Sequence, residues 1–200
     1  MPILGITGGI ASGKSEFRRL LLERIDADYF DADACARELL DKDPAVRQEV
    51  LTRVHPQAYD EGGAPNRPLL RQLIYQDAVR KATLEAILHP VIRDRWSAQA
   101  QAPAYGKRFF IVDIPLLFET NAEKLFDIIV TVACAKETQL DRLATRRGLE
   151  RQISEKIIAS QMPLSLKIEK SHHVIWNDGA LEALITQADL FSRYLHARHG

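Results

Sequence analysis

Residues 6–16 read ITGGIASGKSE, and no other stretch of the chain restricts the possible folds as strongly. Gly8-x-x-x-x-Gly13-Lys14-Ser15 is a complete phosphate-binding loop (P-loop) pattern. It follows a short apolar run, PILGIT at residues 2–7, which reads as a buried strand. It leads into Phe17, Leu20, Leu21 and Ile25 at helical spacing, with Arg18, Arg19, Glu23 and Arg24 between them. The glycines therefore sit at a strand-to-helix junction, the context this loop requires. Backbone without Cβ atoms lets N–H groups turn inward and approach a polyphosphate. A helix starting near Lys14 aims its dipole and its free N–H groups at the same place. Lys14 supplies a mobile positive charge for the β- and γ-phosphates, and the Ser15 hydroxyl is the candidate ligand for Mg2+. Gly8, Gly9, Ile10, Ala11, Ser12, Gly13, Lys14, Ser15 and Glu16 form the predicted ATP-binding stretch.

The rest of the chain alternates strands and helices. IDADYFDAD at residues 25–33 reads as a second short strand ending in acids. Residues 34 to about 102 read as helical, broken by the turn-rich YDEGGAPNRP at residues 59–68 and ended or kinked near 88 by His89-Pro90. RFFIVDIP at 108–115 and FDIIVTVAC at 126–134 are continuous apolar runs, the mark of strands buried on both faces. Residues 137–147 and 151–161 read as helices separated by Gly148, HHVIWNDG at 172–179 as a last strand and turn, and 180–198 as a final amphipathic helix. This pattern predicts an α/β protein with a parallel sheet covered by helices on both faces, and a helical insertion after the second strand.

Composition removes several classes. Twenty-seven basic and 27 acidic residues leave no net charge, which argues against a general nucleic-acid binder. Cys35 and Cys134 form no metal-ligand cluster with the histidines and read as reduced thiols. No apolar run has the length of a membrane span and no secretory leader pattern opens the sequence, so a cytoplasmic protein without membrane partners is expected. Monomer and weak homo-oligomer are both compatible with the composition.

Among P-loop proteins, a guanine-specific one needs an N-K-x-D element, which is absent. The literal D-x-x-G at residues 60–63 lacks a preceding apolar strand. A small kinase remains. FFIVD places Asp113 at a strand end, where a carboxylate can reach Mg2+ through water. Asp31 and Asp33 share one face if the strand extends through them, and two close carboxylates can hold and deprotonate an acceptor hydroxyl. Without the phosphate loop, capping of the next helix would be the favoured reading of this pair. Arg142 and Arg146 share a helix face, with Leu140, Leu143 and Ala144 roughly opposite. With Arg147 and Arg151 they make an arginine-rich hairpin hinged at Gly148, suited to closing over phosphates.

These segments together resemble the dephospho-CoA kinase family, nearly end to end. GITGGIASGKS, DADACARE (31–38), LEAILHPVIR (84–93), DIPLLFE (113–119), QLDRLATRRGLERQISEKIIASQ (139–161) and VIWNDG (174–179) follow in that family's order. The resemblance implies transfer of phosphate from ATP to the ribose 3′-hydroxyl of dephospho-CoA, giving CoA and ADP, the last step of coenzyme A biosynthesis. It implies a P-loop NTPase three-layer fold with a central five-stranded parallel sheet: a nucleotide core over 1–33 and 104–200, a lid at about 139–163, and a helical CoA-side domain at 34–103. It implies Asp33 as the base, with Lys14 and Arg142 as the other catalytic residues and the last on the phosphates. Arg146, Asn177 and Gly179 would bind ATP, the last two near the adenine. Asp31, Arg37, His89, Leu116, Leu117 and Glu119 would face the acceptor. Glu16 departs from the family's usual Thr and is expected to point outward; SHH at 171–173 departs from its A-D; Trp176 is expected to pack in the core. The rival readings are a nucleoside or nucleotide kinase of the same architecture and a non-catalytic ATP-binding regulator.

Overall fold

The computed structural model describes residues 1–102 and 108–199. The domain boundary expected at 103/104 lies outside them. The chain divides into two compact units, Met1–Phe30 with Pro103–Gly200, and Asp31–Ala102.

The first unit is built on a five-stranded parallel sheet of β1 (Ile3–Gly8), β2 (Ala27–Asp31), β3 (Phe109–Asp113), β4 (Ile128–Ala133) and β5 (His173–Trp176), in the order β2-β3-β1-β4-β5. β1 lies in the middle, with Ile3 opposite Phe110 on one side and Leu4 opposite Ile128 on the other. Every residue of β3 and β4 is buried, as their unbroken apolar runs require. The period of two then sorts the faces. Leu4, Ile6, Phe109, Ile111, Ile128, Val130, Val132 and Ile175 share a core with Phe17, Leu20 and Leu21 of α1 (Lys14–Leu22) and Leu184, Ala188, Phe191 and Leu195 of α9 (Leu181–His199). The opposite face carries Gly5 and Thr131. A Cβ at Gly5 would strike Leu117 and Phe126, so that glycine lets the segment after β3 lie against the sheet. Thr131 meets Ser171 at 2.5 Å beside α8 (Leu164–Lys170). Helix α6 (Lys136–Arg147) ends at Gly148, left-handed at φ 63, and α7 (Arg151–Ala159) follows.

The second unit is helical: α2 (Ala32–Lys42), α3 (Pro44–Arg53), α4 (Arg67–Gln76) and α5 (Ala78–Gln101). Each helix starts on an Asx cap. Asp31 accepts from Ala34 N, Asp43 from Ala45 and Val46 N, Asn66 from Leu69 N, and Asp77 from Val79 and Arg80 N. Leu84, Ile87, Leu88, Ile92 and Trp96 bury one stripe of α5.

Three expectations of the fold need correction. Asp33 is not on the strand: β2 ends at Asp31, which caps α2, and Asp33 lies in the first turn of that helix, so the pair does not share a strand face. α5 does not end at His89-Pro90, because its buried stripe continues on both sides of the proline. Ile25 is buried beyond the end of α1 rather than in it. α8 was not foreseen.

Candidate nucleotide site

The loop between β1 and α1 is shaped by two left-handed residues, Ala11 at φ 58 and Gly13 at φ 92. Gly13 precedes α1, whose first turn has no side-chain cap, so its leading N–H groups remain open to an anion. A Cβ on Gly13 would collide with the Asn177 amide, so glycine is required twice over.

Three successive loop carbonyls are held from outside. Gln139 Nε2 donates to Ile10 O at 2.6 Å. Arg142 donates from one nitrogen to Ala11 O and Ser12 O, both at 3.2 Å, and from the other to Asn177 O at 2.8 Å. Asn177, only 8% exposed, adds a bond from its amide to Ser12 O at 2.8 Å. The Ile10 N–H donates to Gln161 Oε1 at 3.0 Å. Gln139 and Arg142 lie three apart on the inner face of α6, so a single helix turn serves consecutive carbonyls. Ser12 Oγ is buried and has no hydrogen-bond partner among the described residues.

At the end of β3, Asp113 is 2% exposed and pairs with Lys14 through Oδ1 and with Arg18 through Oδ2, the latter at 2.7 Å. Ser15 is exposed. Glu16 turns to Arg19 at 2.7 Å, whose hydrogen bond holds its carboxyl below the usual range. Ser15 and Asp113 are hard oxygen donors, the kind Mg2+ selects alongside phosphate oxygens and water, so the residues present fit that ion.

The other predicted residues are placed as follows. Arg142 faces loop carbonyls. Arg146 and Arg147 are exposed, and Arg151 is bound to Glu137 at 2.9 Å and Glu155 at 3.2 Å. Leu140 and Leu143 are buried as expected of one face, whereas Ala144 is exposed. Trp176 is 49% exposed, not a core residue: on the edge strand β5 the alternation turns His173 and Ile175 inward and leaves Val174 and Trp176 outside. The turn holding Gly179 follows Asp178, which accepts from Ala135 N at 2.9 Å. Leu117 is buried and Leu116 half-buried. Glu119 accepts from Lys167 Nζ at 2.8 Å and from Met162 N at 2.9 Å, and the fully buried Lys167 also donates to Pro115 O. In the helical unit Asp33 and Arg37 are exposed one turn apart on α2. His89 is half-buried in α5, and burial lowers its pKa. Sequence reasoning missed Arg18, Gln139, Gln161 and Lys167. The spacing of Arg18 from Lys14, and of Gln139 from Arg142, was the available signal.

The sequence profile of the dephospho-CoA kinase family matches residues 2–183. A dephospho-CoA kinase of Syntrophotalea carbinolica is 38% identical over 186 residues, covering 91% of this chain and 86% of that protein. A crystal structure of a Thermus thermophilus protein superposes with a TM-score of 0.79 at 31% identity, covering 98% of this chain and 97% of the other. Dephospho-CoA kinase from Campylobacter jejuni has the same fold, with a TM-score of 0.64 at 22% identity over 97% of each chain.

Proposed function

The chain belongs to the dephospho-CoA kinase family, and from that premise we propose that it transfers the γ-phosphoryl group of ATP to the ribose 3′-hydroxyl of dephospho-CoA, yielding coenzyme A and ADP. The observation that carries the reading is the outward hold on three loop carbonyls beside an uncapped helix start. Carbonyls tied outward leave N–H groups facing the cavity of the loop, an arrangement that receives a polyphosphate.

In the proposed reaction the acceptor oxygen attacks the γ-phosphorus in line, its bond forming as the bond to the β-bridging oxygen breaks. Lys14 leaves Asp113 to follow the charge on the phosphates. Asp33, exposed on α2, orients the 3′-hydroxyl and takes its proton. Arg142 acts on the nucleotide through the loop it braces, and its positive charge stands behind the phosphates. Ser15, and Asp113 through water, would hold Mg2+, which when bound neutralises charge on the phosphate oxygens. Asn177 and Gly179 are the proposed neighbours of the adenine. Arg37, His89, Leu116, Leu117 and Glu119 are proposed on the acceptor side; Glu119 holds Lys167 and Met162 N through Oε1, and its Oε2 has no hydrogen-bond partner among the described residues. The helical unit is proposed to serve dephospho-CoA. No helix among the described residues is long and apolar enough to cross a membrane, and a cytoplasmic location is proposed with it.

The test is ADP release from ATP and Mg2+ with dephospho-CoA, adenosine, AMP or no acceptor. Release that depends on dephospho-CoA supports the reading. Release with AMP or adenosine overturns the acceptor, and acceptor-independent release overturns the kinase. Asp33→Asn is expected to lower kcat by about 100-fold or more with little change in ATP binding; equal loss of both removes its role.

A further inference from the structure

Asp113 is a single negative charge that meets two cations. Both come from α1, one helical turn apart, and reach different carboxylate oxygens: Lys14 takes Oδ1 and Arg18 takes Oδ2 at 2.7 Å. One of these partners has work elsewhere. Lys14 is the loop lysine, and a triphosphate in the loop draws its ammonium away. A carboxylate 2% exposed cannot be left alone, because a buried charge stripped of its counter-ion is strongly disfavoured. With Lys14 as sole partner, nucleotide binding would work against that penalty.

We propose that Arg18 is the positioning residue that keeps Asp113 paired and oriented while Lys14 moves to the phosphates. Its own placement suits the task. The guanidinium lies 5.0 Å from the centre of the Tyr29 ring on β2, and its side chain is only 17% exposed. Arginine can lay its plane on an aromatic face and direct one N–H to a carboxylate, a combination that the lysine ammonium reproduces poorly. Because Arg18 holds Oδ2, Oδ1 is the oxygen released when Lys14 departs. The inference rests on the proposed reading only in requiring a polyphosphate in the loop; it is independent of the acceptor.

Metal-free binding separates this role from a direct contact with phosphate. The affinities of inorganic tripolyphosphate and of ATP, in the presence of a chelator, are measured by calorimetry for the wild type, Arg18→Leu, Asp113→Asn and the double variant. Arg18→Leu is expected to weaken tripolyphosphate binding about tenfold or more, and in the Asp113→Asn background the same change is expected to cost less than about twofold. Asp113→Asn alone is expected to bind at least as tightly as the wild type, since Lys14 is then free. Arg18→Lys restores part of the loss; should Arg18→Leu not fold, Arg18→Lys and Arg18→Gln complete the cycle. In turnover, KM for ATP rises while KM for the acceptor stays. An equal loss in both backgrounds overturns the proposal in favour of a direct phosphate contact, and no loss in either overturns it outright. A wild type that binds tripolyphosphate but fails with dephospho-CoA overturns the acceptor assignment alone.

Discussion

Gln139 shows how much a neutral side chain can decide. Its amide holds Ile10 O at 2.6 Å, and its neighbour on the helix, Arg142, holds the next two carbonyls. Gln139→Leu keeps the volume and removes the donor, leaving a loop carbonyl without that partner, at a cost of about 1–3 kcal/mol. ATP affinity is expected to fall about 10-fold or more, read by titration, with dephospho-CoA affinity unchanged. Only its spacing from Arg142 hints at this role in the sequence, because a backbone carbonyl carries no residue identity. The loop itself was legible because Gly8, Gly13, Lys14 and Ser15 stand at a fixed spacing between a strand and a helix. Histidines give a second prediction. Burial lowers the pKa of both His89 and His173 below the ordinary 6.5. The unfolded chain therefore binds protons on these residues at a pH where the folded chain does not. Their contribution to stability is present above 6.5 and is lost as pH falls through the lowered values. Urea midpoints are expected to drop on going from about pH 7.5 to about pH 5.5, and His173→Phe should flatten that drop.

Helix α5 carries a residue that ordinarily stops helices. Pro90 has no N–H for the carbonyl four residues back, yet Leu84, Ile87, Leu88, Ile92 and Trp96 keep one buried stripe across it. Pro90→Ala restores the missing bond and is expected to raise stability by about 1–3 kcal/mol in urea denaturation. A stabilised variant with a higher KM for dephospho-CoA would tie the proline to the acceptor. The proline was visible in the sequence; the tertiary burial that overrides it was not. Other mismatches have similar causes. α8 is seven residues long, too short for a periodicity to declare itself. Trp176 looked like a core residue because large aromatics usually are, but the alternation along an edge strand turns it outward beside Val174. The acidic pair looked like a strand end because the helix begins two residues earlier than the hydrophobic pattern suggested. Strands β3 and β4 were plain, since burial on both faces writes itself as an unbroken apolar run.

The division into two units gives a prediction for the whole chain. If the helical unit serves dephospho-CoA, hydrogen exchange will respond to the two substrates in different places. ATP is expected to slow exchange in the loop after β1, in α1 and in α6. Dephospho-CoA is expected to slow it in α2 and α5. Identical protection patterns from the two ligands would remove the division of labour.

The order of strands also has a consequence in time. β1 is made first and lies at the centre of the sheet, but its partners Phe110 and Ile128 are roughly a hundred residues further along. Closing so long a loop adds little to the free energy, about 0.6 kcal/mol for each doubling of length, and a good deal to the search. The helical unit, with its short-range caps, can form while β1 still waits. Leu4 and Ile6 then stay exposed on the growing chain, open to chaperones and to aggregation, until β3 and β4 have been synthesised. The phosphate loop, hung between β1 and helices that come later, is among the last parts of the molecule to take shape.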